Sequence, residues 1–451
     1  MFHPPSSYDD RKKGTMEGVG IVEIILTCII FLLCYIGFIT EKINRALIAC
    51  GGGILMLLLG ILDINNTFME HIDWHTIALL FSMMILVSIT SQNGVFEFIA
   101  VTVAKKVKGK PVPLLIVMST LTAIGSAFLD NVTTVLLLVP IMLTLTKMLD
   151  VEVFPFLLCM ILFSNIGGTA TLIGDPPNIM IGQAVGHLDF NDFLFNLGPA
   201  ILIIFSVVLS IISFYYRNKL TVSQTNQQKL MNIDPVSYLK NGPLLYKSVS
   251  VLLMTIIGFL LHPILNVDLT SVAMAGAMLL LLITHNEQDA EEVFKSVEWV
   301  TLFFFIGLFM LIGGLKEVGI IDELARGILY YTEGDLPITA VAILWGSGIL
   351  SAFLDNIPFV AAMIPVILEF KDYGMTDLDP LWWALALGSC LGGNGTLIGA
   401  SANVIVAGFA AKERFHFSFF SYLKIGMLVV LLSLFISTIY LYFRYLINYI
   451  Y

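Results

Sequence analysis

The sequence predicts an all-α polytopic membrane protein built from two inverted repeats, each with five transmembrane helices, one re-entrant hairpin and a broken helix. Three observations lead to this prediction. Hydrophobic residues make up 58% of the 451 residues and charged residues only 12%, which excludes an ordinary soluble domain and favours membrane spans. The hexapeptide Ser-Ala-Phe-Leu-Asp-Asn occurs at 126–131 and again at 351–356. Glycine-rich interruptions at 164–178 and 391–403 also fall at matching positions.

The offset between the two copies is constant over most of the chain. Asp355 lies 225 residues after Asp130 (355 − 130 = 225), and the same offset relates Gly94 to Gly319. Such internal repeats define the architecture, so they set the predicted boundaries. The predicted units are a polar N-terminal segment at 1–19, a first repeat at 20–216, a linker at 217–244 and a second repeat at 245–451.

Each repeat begins with three apolar runs, predicted to be helices because a backbone in lipid must satisfy its own hydrogen bonds. An amphipathic piece follows in each repeat and is expected to lie at the membrane interface. Trp74 and Trp299, with Asp73 and Glu298 beside them, are also expected at the interface. The predicted spans are 20–39, 44–62, 75–91 and 195–215 in the first repeat, and 245–261, 268–284, 299–315 and 419–443 in the second, with the amphipathic pieces at 94–110 and 319–332.

Two short apolar arms, 114–129 and 132–146, flank Asp130 and Asn131. Each arm of ~16 residues would reach only ~24 Å at 1.5 Å per residue, less than a hydrocarbon core of ~30 Å. Two short spans would place Asp130 in a loop, whereas a re-entrant hairpin would place it at a tip inside the membrane. The arm length, the recurrence at Asp355 and the lack of other loop-like residues favour the hairpin.

The segment 154–183 is predicted to be a broken helix. Its glycines and the pair Pro176-Pro177 cannot sustain a regular helix, so an unwound middle should expose backbone carbonyls and amides. The second copy keeps the glycines but has Ala-Ser-Ala in place of Asp-Pro-Pro. With five crossings per unit, the second repeat must be inverted. Inverted repeats with discontinuous helices are typical of secondary transporters.

The distribution of basic residues predicts the orientation. The larger share of the Lys and Arg residues, Arg45 among them, falls on the side of the linker, and cytoplasmic loops carry such an excess. The linker 217–244 is therefore predicted in the cytoplasm and both termini outside, in a multi-pass protein of the cell membrane. Arg11, Lys12 and Lys13 argue mildly against this orientation, although neighbouring acids offset them.

An acid inside a membrane is costly and indicates a functional site, so Asp130 and Asp355 are the leading candidates. Their alternative role is to cap the returning helix of each hairpin, and the two roles can coexist. Asn131 and Asn356 add neutral oxygen ligands, as do Thr133 and Thr134 in the first copy. Oxygen donors suit a hard cation, so a sodium ion is expected at Asp130, Asn131, Asp355 and Asn356, with a proton as the other possible coupling ion. No other cofactor is expected.

The broken helices supply the remaining candidates. Asp175 exists in the first copy only; it could carry the proton or cap the half-helix that starts at Pro176. Free amides at the breaks attract anions, but three acids nearby oppose an anionic substrate and favour a cation or a neutral species. The other candidate binding residues are Asn165, Gly168, Thr171, Asn178, Asn394, Thr396, Ser401 and Asn403.

At these residues the chain resembles the ion transporter superfamily of ArsB arsenite permeases, NhaD-type sodium/proton antiporters, the melanosomal P protein and the divalent-anion/sodium symporters, to which citrate-type transporters are related. The resemblance runs from about Gly20 to the C-terminus. It is carried by Phe-Leu-Asp-Asn at the hairpins and by Ile-Gly-Gly-x-x-Thr-x-Ile-Gly-Asp-Pro-Pro-Asn in the first break, and it is closest to the P-protein branch. The resemblance implies homodimers, separate scaffold and transport domains, and elevator-like alternating access.

The tips depart from one branch. Divalent-anion symporters carry Ser-Asn-Thr there, whereas this chain has Asp130-Asn131-Val132 and Asp355-Asn356-Ile357, which puts dicarboxylate transport in doubt. We therefore expect a secondary active transporter in the lipid bilayer that moves a small inorganic ion or small anion, with sodium/proton antiport and arsenite/antimonite efflux as leading activities. The alternative is a sodium-coupled dicarboxylate or citrate-type transporter.

More remote alternatives are a passive channel and an intramembrane aspartyl protease. The identical motifs in inverted copies are explained by a symmetric transport path, which a protease does not require. Neither an enzyme nor a nucleic-acid-binding protein is expected. No GxxxxGK[ST] motif occurs, so direct use of ATP within this chain is not expected, while an ATPase partner stays open.

Overall fold

The computed structural model describes residues 20–40, 42–240, 242–413, 415 and 418–449. In these ranges the chain is helical, without strands, and its main helices form two sets of nine. The predicted polar segment at 1–19, and with it Arg11, Lys12 and Lys13, lies outside the described residues, as does Arg414. The first set is α1 (Ile21–Thr40), α2 (Arg45–Leu58), α3 (Trp74–Ser91), α4 (Val95–Lys106), α5 (Pro111–Leu129), α6 (Asn131–Leu149), α7 (Phe154–Gly168), α8 (Pro176–Val185) and α9 (Gly198–Tyr216).

The second set repeats the first in order. Its members are α10 (Pro243–Leu265), α11 (Leu269–Ile283), α12 (Trp299–Glu317), α13 (Ile320–Tyr331), α14 (Leu336–Phe353), α15 (Asn356–Glu369), α16 (Asp379–Gly392), α17 (Ser401–Lys412) and α18 (Phe419–Leu441). Each helix therefore has its counterpart nine helices later. Additional short helices, which the sequence did not predict, occur at Ile64–Asn66, Phe190–Asn196, Gln224–Met231 and Ala290–Ser296.

Nine helices within the described ranges are long and apolar enough to cross a membrane, and four shorter apolar helices accompany them. The shorter helices are α2 and α11, which were predicted as spans, α7, which is half of the first broken helix, and α15, which is one arm of the second hairpin. This pattern confirms a multi-pass membrane protein.

The packing of α3 against α12 shows that the repeats are inverted. His71, just before α3 begins, donates from Nε2 to Glu317 Oε1 at 3.0 Å, at the point where α12 ends. At the other end of the two helices, Ser88 Oγ in the last turn of α3 lies 2.5 Å from Oγ of Ser296, which precedes α12. These equivalent helices thus run in opposite directions. The predicted inverted-repeat fold is confirmed.

The helices pack as two bundles. One consists of α1, α2 and α3 with α10, α11 and α12. The other contains both hairpins, both broken helices, α9 and α18. Matching contacts cross between the repeats in each bundle: α2 packs on α12 as α11 packs on α3, and α8 packs on α15 as α17 packs on α6. The site candidates lie in the second bundle.

The first hairpin is longer than predicted. Helices α5 and α6 have 19 residues each, or ~28 Å at 1.5 Å per residue, so arm length does not separate a hairpin from two spans. The helix begins early because Pro111 fits the first helical position, where its missing N–H has no cost. The tips support the hairpin instead: Asp130 and Asn131 of one tip share a cavity with Asn356 of the other, although the hairpins belong to inverted repeats.

The predicted breaks are present, at 169–175 between α7 and α8 and at 393–400 between α16 and α17. The first break is tightly closed on itself. A Cβ added at Gly168 would lie 2.4 Å from the carbonyl oxygen of Gly174, and one at Gly174 would lie 2.4 Å from that of Gly168. Such a backbone approach leaves room for glycine alone.

Candidate functional site

Asp130 and Asp355 stand at the turning points of the two hairpins and cap the returning helices. Asp130 accepts from the Thr133 backbone N at 2.7 Å and from Thr133 Oγ1 at 2.7 Å. Asp355 accepts from the Ile357 backbone N at 3.1 Å. The predicted capping role of both acids is confirmed.

The two turns differ in backbone conformation. Asp130 has φ 78° and ψ 161°, a region that is essentially reserved for glycine, whereas Asp355 has an ordinary φ of −55°. Strained residues of this kind cluster at functional sites. The strain at Asp130 therefore supports its place in the site.

Asp355 has a basic partner that sequence reasoning missed. Arg45 Nη1 donates to Asp355 Oδ2 at 3.0 Å and to Ser401 Oγ at 2.5 Å, while Ser401 Oγ donates to Asp355 Oδ2 at 3.0 Å. The guanidinium also lies over the ring of Phe304, 4.9 Å from its centroid. Arg45 was expected to be only a cytoplasmic loop charge. One signal was available: the 225-residue offset places Thr270 at the equivalent position, so the arginine is unique to the first copy.

Asp130 lines a cavity of about 30 Å³, which is the space of roughly one water. Asp175, Glu298, Asn356 and Ser401 line it as well. The expectation that Glu298 is interfacial is wrong. Because Glu298 immediately precedes α12, which packs on the second hairpin and on α3, its carboxylate reaches the tips, and Thr301 Oγ1 donates to it at 3.1 Å.

Asp175 connects the two repeats. It precedes α8, but its side chain makes no capping bond, so the capping alternative is wrong. Its two carboxylate oxygens instead accept from Asn356 Nδ2 at 3.3 and 3.2 Å. This acid is only 1% exposed, and it bonds the first broken helix to the second hairpin tip.

A cluster of buried asparagines lies beside the tips. Asn165 donates from Nδ2 to Asn394 Oδ1 and to Asn403 Oδ1, both at 3.0 Å, and it accepts from Asn131 Nδ2 at 3.1 Å. The first tip and both broken helices therefore meet through amide side chains. Neutral amides satisfy one another here without adding charge to the membrane interior.

Four other predicted residues have structural bonds. Asn178 donates to the carbonyls of Thr169 and Thr171, and Asn403 does the same to Gly393 and Thr396. Thr171 Oγ1 donates to the Ala127 carbonyl, and Thr396 Oγ1 donates to the Ala352 carbonyl at 2.6 Å. The threonine bonds hold each break against its own hairpin, and the asparagine bonds tie each break to the half-helix that follows it. Gly168 closes the first break on itself through its close approach to Gly174.

Two side-chain oxygens at the first tip are free to accept a hydrogen bond or to bind a ligand. Within the described part of the chain, Asn131 Oδ1 and Thr134 Oγ1 are buried without a hydrogen-bond partner. Unpaired buried polar atoms are costly and call for a ligand or water. In the same ranges no group of three His, Cys, Asp or Glu side chains is placed to hold a metal ion, so a cation at the tip would use oxygens of mixed type.

The second tip lies at a larger, open cavity. A cavity of about 290 Å³ reaches Asp355, Arg45 and Ser401, and Asn44 and Ile398 also line it. At the equivalent position in the first copy, Ile173 is buried, and Gln183 Nε2 donates to Thr270 Oγ1 at 3.3 Å. The structure therefore places Asp355 at a cavity of about 290 Å³ and Asp130, which is also partly exposed, at one of about 30 Å³.

Comparison with known proteins gives a consistent result. The chain matches the citrate transporter family, CitMHS, over residues 35–388. It is 37% identical over 430 residues to a 46 kDa membrane protein of Mycobacterium leprae, covering 94% of this chain and 99% of that protein. It is 36% identical over 426 residues to an uncharacterized transporter of Mycobacterium tuberculosis, covering 93% and 98%.

The human P protein is 32% identical over 513 residues, which cover 95% of this chain and 60% of the P protein. The crystal structure of the Alcanivorax borkumensis YdaH transporter, described as having an unusual topology, matches with a TM-score of 0.57 and 12% identity over 95% of this chain and 99% of that one. At this identity the likeness concerns the fold alone. The chain therefore belongs to the citrate transporter family and is a multi-pass membrane transporter, not an enzyme.

Proposed function

We propose that this protein is a secondary active ion transporter coupled to protons or sodium, with the coupling cation held between the hairpin tips. The observation that carries the proposal is the meeting of Asp130, Asp175 and Asn356 at one small cavity, with Asp355 next to it at the edge of a larger, open one. A path that joins two inverted tips is the arrangement that alternating access requires.

The charges favour a cation. Three aspartates and Glu298 surround the tips, and Arg45 is the one basic side chain among the residues lining the two cavities at the tips. The smaller cavity has room for a single ion or water, and the carboxylate of Asp130 with Asn131 Oδ1 offers oxygen ligands of the kind that hard cations prefer. Sodium/proton antiport is the activity that this site supports best.

Arsenite or antimonite efflux is the second activity of the same class. Cys159 and Cys390 are buried in α7 and α16, and Cys390 Sγ lies 3.5 Å from Asn178 Oδ1, next to the first break. Trivalent arsenic favours thiols, so a doubly substituted Cys159→Ser/Cys390→Ser protein should lose metalloid efflux if these thiols bind the substrate. Retained efflux would remove thiol ligation from the account.

Citrate-type anion transport is the alternative, and Arg45 favours it. A guanidinium that reaches a cavity of about 290 Å³ could bind a substrate carboxylate in a forked arrangement. The family match points the same way, because it is to citrate transporters. The aspartates at both tips oppose it, because they would repel the substrate.

Orientation and assembly are part of the proposal. The linker lies in the cytoplasm and both termini outside, so the cavity at Asp355, whose rim includes Asn44 after α1, opens inward. The bundle of α1–α3 and α10–α12 acts as a scaffold through which two copies associate as a homodimer. The bundle that carries the hairpins moves across the membrane with its ion.

Flux through purified protein in proteoliposomes tests the proposal. Sodium, arsenite and citrate are each offered with and without an imposed pH gradient. We expect uphill sodium movement driven by the pH gradient, which a passive channel would not produce. Sodium-dependent citrate uptake, with no uphill sodium movement driven by the pH gradient, would contradict the proposal and favour the anion alternative.

A further inference from the structure

We infer that Arg45 is a built-in substitute for the coupling cation: it neutralises Asp355 in the empty carrier, and the transported cation competes with it for that carboxylate. This inference rests on the proposed function, because it requires a cation to bind at the tips. It assigns a role in specificity and coupling to a residue outside both repeat motifs.

The contact has the geometry of a reversible ion pair. Both of its hydrogen bonds, to Asp355 and to Ser401, come from the single atom Nη1 rather than from the forked pair of nitrogens that gives the strongest carboxylate binding. The side chains of Arg45 and Asp355 are 30% and 18% exposed at the open cavity. A cation entering from that cavity can therefore reach the carboxylate that the arginine holds.

The symmetry-related half-site shows what the arginine replaces. The equivalent of Arg45 is Thr270, and the equivalent of Ser401 is Pro176. The first repeat therefore supplies no such donors of its own, although Arg45 and Ser401, which bond to Asp355, also line the cavity at Asp130. In the part of the chain that the structure describes, the carboxylate of Asp130 is bonded by Thr133 of its own helix. The protein thus has two acidic half-sites and one internal positive charge to share between them.

An unpaired buried carboxylate is unfavourable, so an empty carrier needs a positive charge at the tips. Arg45 supplies that charge at Asp355. A sodium ion or a proton that binds Asp355 makes the arginine redundant and lets it swing into the open cavity. Arg45 and the coupling cation are in this way mutually exclusive partners of one carboxylate.

The pair also joins the two bundles. Arg45 is the first residue of α2 in one bundle, whereas Asp355 and Ser401 belong to the second hairpin and broken helix of the other. While the arginine is bound, the tip is attached to α2. Cation binding releases it, so the hairpin bundle moves only when loaded, which is the condition for coupled transport.

The test compares Arg45→Gln and Arg45→Lys with wild type, and uses Lys42→Gln as a matched control. Lys42 is exposed in the same connection, so its replacement removes one positive charge near α2 without touching the site. Sodium-dependent flux in proteoliposomes gives the half-saturating sodium concentration at several pH values. The sodium-induced rise of the thermal unfolding midpoint in detergent gives binding separately, and the midpoint without sodium shows whether each variant folds.

We expect Arg45→Gln to lower the half-saturating sodium concentration about fivefold in both measurements, because a partly exposed ion pair of ~1 kcal/mol no longer competes. Without the Arg45–Asp355 pair, the hairpin bundle of the empty carrier should also move across the membrane. Proton flux then becomes uncoupled from sodium flux. Arg45→Lys should restore most of the wild-type behaviour, and Lys42→Gln should match wild type.

Two results would overturn the inference. A folded Arg45→Gln protein whose half-saturating sodium concentration stays within twofold of wild type shows that the arginine does not compete. Loss of citrate flux in that variant with unchanged sodium dependence makes Arg45 an anion ligand instead. Failure of the proposed function is distinguished from failure of the inference by the wild-type protein, whose flux would then show no dependence on sodium or protons. In that case the inference fails as well.

Discussion

The two hairpin tips carry the same six residues and have different surroundings. Asp130 lies at a cavity of about 30 Å³ near Glu298 and Asp175, while Asp355 lies at a cavity of about 290 Å³ and pairs with Arg45. The difference arises outside the repeated motif, where Arg45 corresponds to Thr270 and Asp175 to Ala400. Two tips of identical sequence are thus unequal half-sites because a few of the residues around them differ.

Neutralising each acid should have the largest effect. Asp130→Asn removes a charged ligand from the smaller cavity, and a charge-assisted contact of ~3 kcal/mol corresponds to a roughly 100-fold loss of sodium-dependent flux. Asp355→Asn should reduce coupled flux less and should leave Arg45 free to bind anions. Initial rates in proteoliposomes measure both, and Asp234→Asn, an exposed linker acid, is the control. Equal effects of the two tip variants would remove the functional difference between the half-sites.

The broken helices should differ in their tolerance of a methyl group. A Cβ at Gly168 would meet a backbone oxygen at 2.4 Å, whereas its counterpart Gly393 has its nearest neighbour at 3.2 Å. Gly168→Ala should therefore cost about 2–3 kcal/mol of stability and Gly393→Ala less than about 1 kcal/mol. Thermal unfolding in detergent measures this, with Gly408→Ala, which has open space within α17, as the control without a steric clash. A Gly168→Ala protein as stable as the control would show that the first break is looser than described.

Accessibility should separate the half-sites without affecting stability. Ile398 lines the open cavity, and its counterpart Ile173 is buried. In a background with all five cysteines replaced, Ile398→Cys should react rapidly with a membrane-impermeant thiol reagent applied from the linker side, and Ile173→Cys should react slowly from either side. Comparable rates at both positions would show that the two tips are equally open in the membrane.

Helix caps should give the smallest effect. Asn44 Oδ1 accepts from the Ala46 backbone N and caps α2, and Asp268 caps the equivalent α11 by accepting from Ser271 N. Replacing either with Ala should lower stability by ~1 kcal/mol. Asn44→Ala should also raise the sodium affinity slightly, because it loosens the helix end that positions Arg45, and Asp268→Ala should not. Unfolding midpoints and half-saturating sodium concentrations distinguish the two cases.

The fold could be predicted from the sequence because matching residues in the two copies mark where each repeat begins and ends. The offset between Asp130 and Asp355 predicts the pairing of all the main helices, and the glycines at 167–174 predict the first break. Local chemistry also gave helix capping as the alternative role of both tip acids, and both do cap their helices. These features depend on residues that are close in sequence.

The rest depends on packing between distant segments. Arg45 and Asp355 are 310 residues apart, and nothing in the local sequence indicates that the start of α2 reaches the second tip. Glu298 is a charged residue next to Trp299 at the end of an apolar run, which is typical of the membrane interface. Its position in the site follows only from how α12 packs. Asp175 has every local feature of a cap, yet its carboxylate bonds to Asn356 of the other repeat. Contacts across the pseudo-two-fold axis were the part that sequence reasoning could not supply.

The central claim is that two inverted acidic tips form one ion path, and the doubly neutralised protein Asp130→Asn/Asp355→Asn tests it most directly. Its ion flux in proteoliposomes is compared with wild type under an imposed pH gradient, after thermal unfolding has shown that it folds. The account predicts that gradient-driven movement is lost in both directions. Uptake and export at wild-type rates would contradict it.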